Sequence, residues 1–154
     1  MRNNFVKAFT LIEILFVISI LGILLAIALP NLNSLRSNQI LNSTASDVVS
    51  AINKASAQSL ASLDSSSYGV HFASDRVVIF KGTVYGANDL ENKVVEITPP
   101  ATISAIGLGG PTSLYFERLT GEPNVYGTIT IGLTSGVHME RTIIIDATGR
   151  VSSN

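Results

Sequence analysis

One long apolar segment lies near the start of the chain. No residue from Ile14 to Leu29 carries a charge, and Phe9 to Glu13 extend this segment toward the N-terminus. A helix over residues 9–29 would be about 32 Å long, which is enough to cross a bilayer. We therefore predict a transmembrane helix at about residues 9–29.

After the apolar segment the pattern becomes amphipathic. Apolar residues recur at intervals of three and four, which places them on one face of a helix; they are Leu41, Ala45, Val48, Ile52 and Ala55. The helix is predicted to continue to about residue 63. Within it Pro30 removes one backbone hydrogen bond, so we expect a kink there.

From residue 64 onward the pattern changes to the alternation of β-strands. The clearest strand is Thr128 to Thr134, and Arg141 to Asp146 is its expected hairpin partner. The predicted fold class is α+β, a long N-terminal helix packed on an antiparallel β-sheet head over residues 64–154. The inner half of that helix is transmembrane and the outer half is amphipathic.

Charges around the apolar segment predict its orientation. Arg2 and Lys7 precede the segment, whereas the first basic residue after it is Arg36. The positive-inside rule then places the N-terminus in the cytoplasm and the head outside it. Ala26 to Ala28 offers a signal-peptidase site, but the apolar run is long for a secretory signal, so we favour a retained helix.

Glu13 is out of place in a membrane helix. A carboxylate within a spanning helix costs on the order of 3 kcal/mol, so such a residue needs a partner or a function. A role as a simple membrane anchor does not explain why the helix contains Glu13.

Composition excludes several kinds of chemistry. The net charge is -1, which creates no overall field for nucleic acid or acidic lipid, and the chain has no cysteine for disulfides, thiolate catalysis or iron–sulfur clusters. His71 is expected to be a satisfied or solvated sheet residue, and no metal-binding spacing includes His138. We predict no cofactor, no metal site and no catalytic residue.

Arg141 and Arg150 are candidates for binding DNA if they lie on neighbouring strands. Two arginines make a weak basic patch, and Glu140 and Asp146 are close in sequence. We favour ion pairs within the fold as their role.

The N-terminus resembles a known signal. Lys7-Ala8-Phe9-Thr10-Leu11-Ile12-Glu13, the apolar run and Pro30 resemble the class III signal of type IV pilins and type II secretion pseudopilins. The resemblance implies that a prepilin peptidase removes a cytoplasmic leader, residues 1–8, between Ala8 and Phe9. The new amine of Phe9 is then methylated. Ala8 departs from the usual glycine, which makes cleavage efficiency the step affected.

The same resemblance implies a role for Glu13. In the assembled filament its carboxylate is expected to pair with the N-terminal amine of a neighbouring subunit. Such a pair in an apolar bundle penalises wrong register, although it need not add much net stability.

The C-terminal half has a second resemblance, to the H-type minor pseudopilins and FimT-like minor pilins. It is carried by residues of the predicted closing strands and turns, namely Phe116-Glu117, Gly121, Gly127 to Ile131, Ile143 to Ile145 and Gly149-Arg150-Val151. The alternative is an unrelated small β domain that follows a pilin helix.

Together these features predict a non-enzymatic minor subunit of a type II secretion pseudopilus or a type IV pilus. It would reside in the bacterial inner membrane before assembly. Its partners would be other pilin or pseudopilin subunits, the prepilin peptidase, and an assembly platform with its ATPase. The alternatives are a FimT-like minor pilin that binds DNA for uptake and a membrane-tethered hydrolase, which would need a nucleophile and base clustered at a pocket.

Overall fold

The computed structural model describes residues 9–134 and 139–154, and only the backbone of residues 28–34. It contains one long helix, α1, from Leu11 to Leu60, followed by a short 3-10 helix and a β-rich head. The chain divides into two compact units, Met1–Arg36 and Ser37–Asn154. The fold class is therefore α+β, as predicted, with a long N-terminal helix and antiparallel sheets.

The start of α1 is capped by Thr10. The Glu13 backbone N–H lies 3.4 Å from Thr10 Oγ1 and 3.1 Å from the Thr10 carbonyl oxygen. Thr10 with Glu13 three residues later matches the capping-box pattern that begins many helices. The local sequence therefore explains where α1 begins.

The end of α1 lies at Leu60, before the predicted boundary near residue 63. Ser62 adopts a left-handed backbone conformation with φ 49°, which interrupts helical hydrogen bonding. A 3-10 helix, Leu63–Ser65, follows this break. The prediction was too long because serine in a polar run carries no strong signal for such a conformation.

The predicted apolar stripe of α1 forms one side of the core of the second unit. Its members are all buried and belong to the same cluster as the inner faces of the sheets; they are Leu41, Ala45, Val48, Ile52 and Ala55. Buried Ser59 joins this part of the helix to the first strand, because its hydroxyl accepts from the Tyr68 N–H at 2.8 Å. The outer half of α1 is thus held by apolar packing and by buried polar contacts of Ser59.

In the described part of the chain, eight strands form two antiparallel sheets rather than the single sheet predicted. They are β1 (Tyr68–Phe72), β2 (Arg76–Lys81), β3 (Lys93–Glu96), β4 (Ala101–Gly107), β5 (Ser113–Phe116), β6 (Gly127–Leu133), β7 (Glu140–Ile145) and β8 (Val151–Ser153). The first sheet has the order β3-β2-β1-β5 and the second β4-β6-β7-β8. The chain passes between the sheets three times, and Pro99 and Pro100, neither of which can donate to a ladder, lie at the first crossing, between β3 and β4.

The predicted hairpin of the second sheet is confirmed. β6 pairs with β7, with Ile129 opposite Ile143 and both side chains buried. The short polar strand β8 continues this sheet and was not predicted, because Val151-Ser152-Ser153 has too little alternation to identify it. The hairpin loop, residues 135–138, lies outside the described residues.

Candidate functional site

The first unit presents an apolar helix with no cover. From Phe9 to Ile27 its large apolar side chains are exposed, with Phe9 at 77% and Leu11 at 78%. Apolar residues occupy all sides of this part of α1, a pattern typical of a helix that is buried in its working environment. Its side chains therefore need cover from lipid or from other protein.

Within the described residues, no helical stretch combines the length and the hydropathy that crossing a membrane requires.

One polar side chain in this apolar stretch is satisfied by the helix itself. The Ser19 hydroxyl donates to the Leu15 carbonyl oxygen at 2.8 Å. This bond to the preceding turn removes the need for an outside partner. Ser19 is therefore compatible with an apolar environment.

Glu13 lies in the first turn of α1 and its side chain is exposed. A carboxylate at a helix N-terminus gains about 0.3–1 kcal/mol from the helix dipole. Among the described residues no ion pair includes Glu13, so its charge is available to another molecule.

Two predicted sites near the N-terminus remain predictions. Ala8, on the leader side of the expected cleavage point, lies outside the described residues, whereas Phe9 is the first residue described. The backbone of Pro30 is part of α1, and the predicted kink there stays a prediction.

The two candidate DNA-binding arginines lie at opposite ends of β7. Arg141 is paired with Ile131 near the start of the strand, and Arg150 lies in the turn before β8. At about 3.3 Å per residue, the backbone positions are separated by roughly 16 Å along the strand. They therefore do not form one compact basic patch.

The environments of these arginines also differ. Arg141 donates from Nε to Asn42 Oδ1 on α1 at 2.9 Å, and from Nη1 to the Glu140 carbonyl oxygen at 3.1 Å. Arg150 is exposed, and neither arginine forms an ion pair within the described ranges. The favoured ion pairs with Glu140 or Asp146 are thus absent from the described residues, and amide and carbonyl oxygens hold Arg141 instead.

His71 lies on the outer face of the first sheet, directly across from Ser113. Its Nδ1 is 2.8 Å from Ser113 Oγ, and its ring stacks on Tyr85 with centroids 3.9 Å apart. Burial lowers the pKa of His71, so its imidazole is uncharged near neutral pH. The neighbours of His71 agree with a satisfied sheet residue.

This pair also resembles part of a hydrolase site. A serine and a histidine at hydrogen-bond distance can act as nucleophile and base, and a cavity adjoins them. A catalytic triad also needs a third group that orients the histidine. No carboxylate in residues 9–134 and 139–154 hydrogen-bonds to His71, and no cluster there is suited to a metal. His138 lies outside the described residues.

The sequence did not lead us to expect buried apolar residues on the outer face of the first sheet, the face turned away from α1. Val78 and Phe80 face away from α1 and are nevertheless almost fully buried. Tyr85, from the segment after β2, packs edge-on against Phe80 with centroids 5.7 Å apart. The continuous apolar run Val77 to Phe80 could have predicted that both faces of β2 are buried, because such a strand does not alternate between apolar and polar residues.

In comparisons with known proteins, only the N-terminal segment of the chain has a match. Residues 3–29 match the family described as the prokaryotic N-terminal methylation motif. No curated protein and no solved structure matches the chain. The motif supports a type IV pilin-like family and indicates a pilin-type subunit processed by a prepilin peptidase.

Proposed function

We propose that this chain is a structural minor subunit of a type II secretion pseudopilus or a type IV pilus, and not an enzyme. The observation that carries the proposal is the methylation motif at residues 3–29, which coincides with a helix whose apolar side chains are uncovered. Lipid covers these side chains before assembly, and the helices of neighbouring subunits cover them afterwards. Residues 9–29 then serve first as a membrane anchor and later as an assembly surface.

The proposed life cycle begins in the bacterial inner membrane. The helix spans it once, with residues 1–8 in the cytoplasm and the head on the other side, as the flanking charges favour. The prepilin peptidase and an assembly platform with its ATPase act as partners, followed by other pilin or pseudopilin subunits. The resemblance of the closing strands to H-type and FimT-like subunits supports a minor rather than a major subunit.

Processing between Ala8 and Phe9 is directly testable. We expect N-terminal sequencing of the membrane-extracted protein to find Phe9 first, with a methylated amine. Because alanine differs from glycine by one methyl group, Ala8→Gly should be cleaved at least as fast as the natural chain. A mature protein that begins at Met1, or near Asn31, would contradict the proposed processing.

DNA binding is the second candidate function, and the exposure of Arg150 favours it. This side chain has no ion pair in the described part of the chain, so its charge can reach a phosphate. Because Arg141 is held by Asn42, we expect Arg150 to contribute more.

A gel-shift titration of the full chain in detergent tests this candidate. Arg150→Ala should weaken binding to all DNA sequences alike. It should also reduce the slope of log K against log salt concentration by about one. Arg76→Ala is the matched control, because Asp75 already pairs with Arg76 at 2.6 Å. Binding that is unaffected by both Arg150→Ala and Arg141→Ala excludes these two arginines as the DNA-binding residues.

A further inference from the structure

A shallow cavity of about 390 Å³ lies on the outer face of the first sheet. Its floor includes His71 and Phe80, and its walls come from the segment Thr83–Tyr85 and from Pro111–Tyr115, with Asn124 completing the lining. Its volume lies within the range of about 300–1,000 Å³ that is typical of small-ligand sites. Assembly of the N-terminal helix uses none of these residues.

Close packing holds the aromatic rings of the cavity in place. Gly69 lies beneath the ring of Phe80, because a Cβ atom on Gly69 would come within 2.3 Å of Phe80 Cζ. Tyr85 stacks on His71 with an interplanar angle of 6° and meets Phe80 edge-on. The rings of His71 and Tyr85, which remain partly exposed, are therefore held in place and lose little conformational entropy when a ligand binds.

Among the described residues, several hydrogen-bonding groups around these rings have no protein partner. The hydroxyls of Tyr85, Tyr115, Thr83 and Thr112 form no hydrogen bond within the described part of the chain. Asn124 Oδ1 accepts from the Tyr115 N–H at 2.8 Å, which fixes the amide and leaves its Nδ2 group as a donor. The lining thus offers both donors and acceptors to a ligand.

The lining carries no formal charge. None of its residues is Asp, Glu, Lys or Arg, and His71 is uncharged near neutral pH because burial lowers its pKa. A charged ligand would lose hydration without gaining a counter-ion, and a wholly apolar ligand would cover the hydroxyls without bonding to them. The favoured ligand is therefore neutral, with an apolar face and several hydroxyl groups.

A neutral pyranose sugar has this combination. Its C–H face is apolar and suits an aromatic ring, while its equatorial hydroxyls exchange hydrogen bonds with hydroxyl and amide side chains. We propose that this cavity binds a sugar residue of an uncharged glycan. This function goes beyond subunit assembly and does not depend on it.

Calorimetric titration of the full chain with neutral trisaccharides tests the proposal. The probes are maltotriose, cellotriose and tri-N-acetylchitotriose, and trigalacturonate serves as the charged comparison. The protein is kept in a polyoxyethylene detergent, because a sugar-headed detergent would occupy the site. We expect saturable binding of at least one neutral probe and weaker or no binding of trigalacturonate.

Tyrosine variants locate the binding. Tyr115→Ala should weaken binding at least tenfold, and Tyr115→Phe, which keeps the ring, should weaken it less. Tyr126→Ala is the matched control, because Tyr126 is 66% exposed and lies outside the cavity lining. Circular dichroism of each variant shows whether the head remains folded, and Tyr115→Phe serves as the deciding variant if Tyr115→Ala unfolds.

Four outcomes would overturn the proposal. The first is that no neutral probe binds saturably at millimolar concentrations, and the second is that trigalacturonate binds more tightly than the neutral probes. The third is an equal loss of sugar affinity in the Tyr115 and Tyr126 variants, and the fourth is unchanged sugar affinity in a folded Tyr115 variant. Saturable binding of a proline-rich peptide in the absence of any sugar binding would reassign the cavity to protein recognition.

Discussion

Glu13→Gln should leave the chain inserted in the membrane and reduce its incorporation into filaments by at least about a hundredfold. Glutamine keeps the shape of the side chain and removes the charge that we propose pairs with the Phe9 amine of a neighbouring subunit. Removing one partner of a buried ion pair costs about 3–5 kcal/mol, because the other charge stays buried and unpaired. Sedimentation of sheared filaments, with immunoblotting of filament and membrane fractions, measures both the incorporated and the membrane-inserted protein.

The control for this experiment is a second change from acid to amide on the same helix. Asp47 is an exposed residue of α1 within the second unit, so Asp47→Asn should assemble normally. Normal incorporation of Glu13→Gln would refute the proposed pairing. Loss of Glu13→Gln from the membrane fraction would show instead that the residue acts in insertion or folding.

Gly149→Ala should lower the free energy of unfolding of the head by about 3 kcal/mol. Gly149 has φ +80°, which costs a residue with a Cβ atom about 1–2 kcal/mol, and the new Cβ would lie 2.5 Å from the Gly121 carbonyl oxygen. Because that oxygen belongs to the backbone, relief requires the turn before β8 to shift, and such overpacking typically costs about 1–3 kcal/mol. Urea unfolding of the full chain, followed by far-UV circular dichroism, measures the change.

Gly86→Ala is the matched control for Gly149→Ala. No atom lies within 4 Å of the position its Cβ would occupy. We expect its urea midpoint to stay within experimental error of the natural chain. Equal midpoints for all three proteins would show that the turn before β8 adapts to a side chain at position 149.

Local patterns were sufficient for much of the helix and for several strands. The start of α1 follows from Thr10 and Glu13, and the buried stripe of its outer half follows from spacing alone. The β6–β7 hairpin was also predictable, because consecutive strands with clear alternation usually pair. Boundaries were less predictable where they depend on single backbone conformations, such as that of Ser62.

The candidate assembly site was accessible from sequence because its parts are neighbours along the chain. Phe9, Glu13 and the apolar run lie within one segment, and the same segment matches the methylation motif. The candidate DNA-binding residues were a different case. Arg141 and Arg150 are near in sequence, yet an extended strand lies between them and places them far apart.

By itself, the sequence determined the helix, the location of its uncovered apolar segment, the isolated carboxylate at Glu13 and the β character of the head. Each of these properties depends on residues within a few turns or one strand of each other. Only the tertiary structure decided that the strands divide between two sheets and that the cavity unites His71, Tyr85, Tyr115 and Asn124. Those arrangements depend on contacts between residues distant in the chain, which local periodicity does not specify.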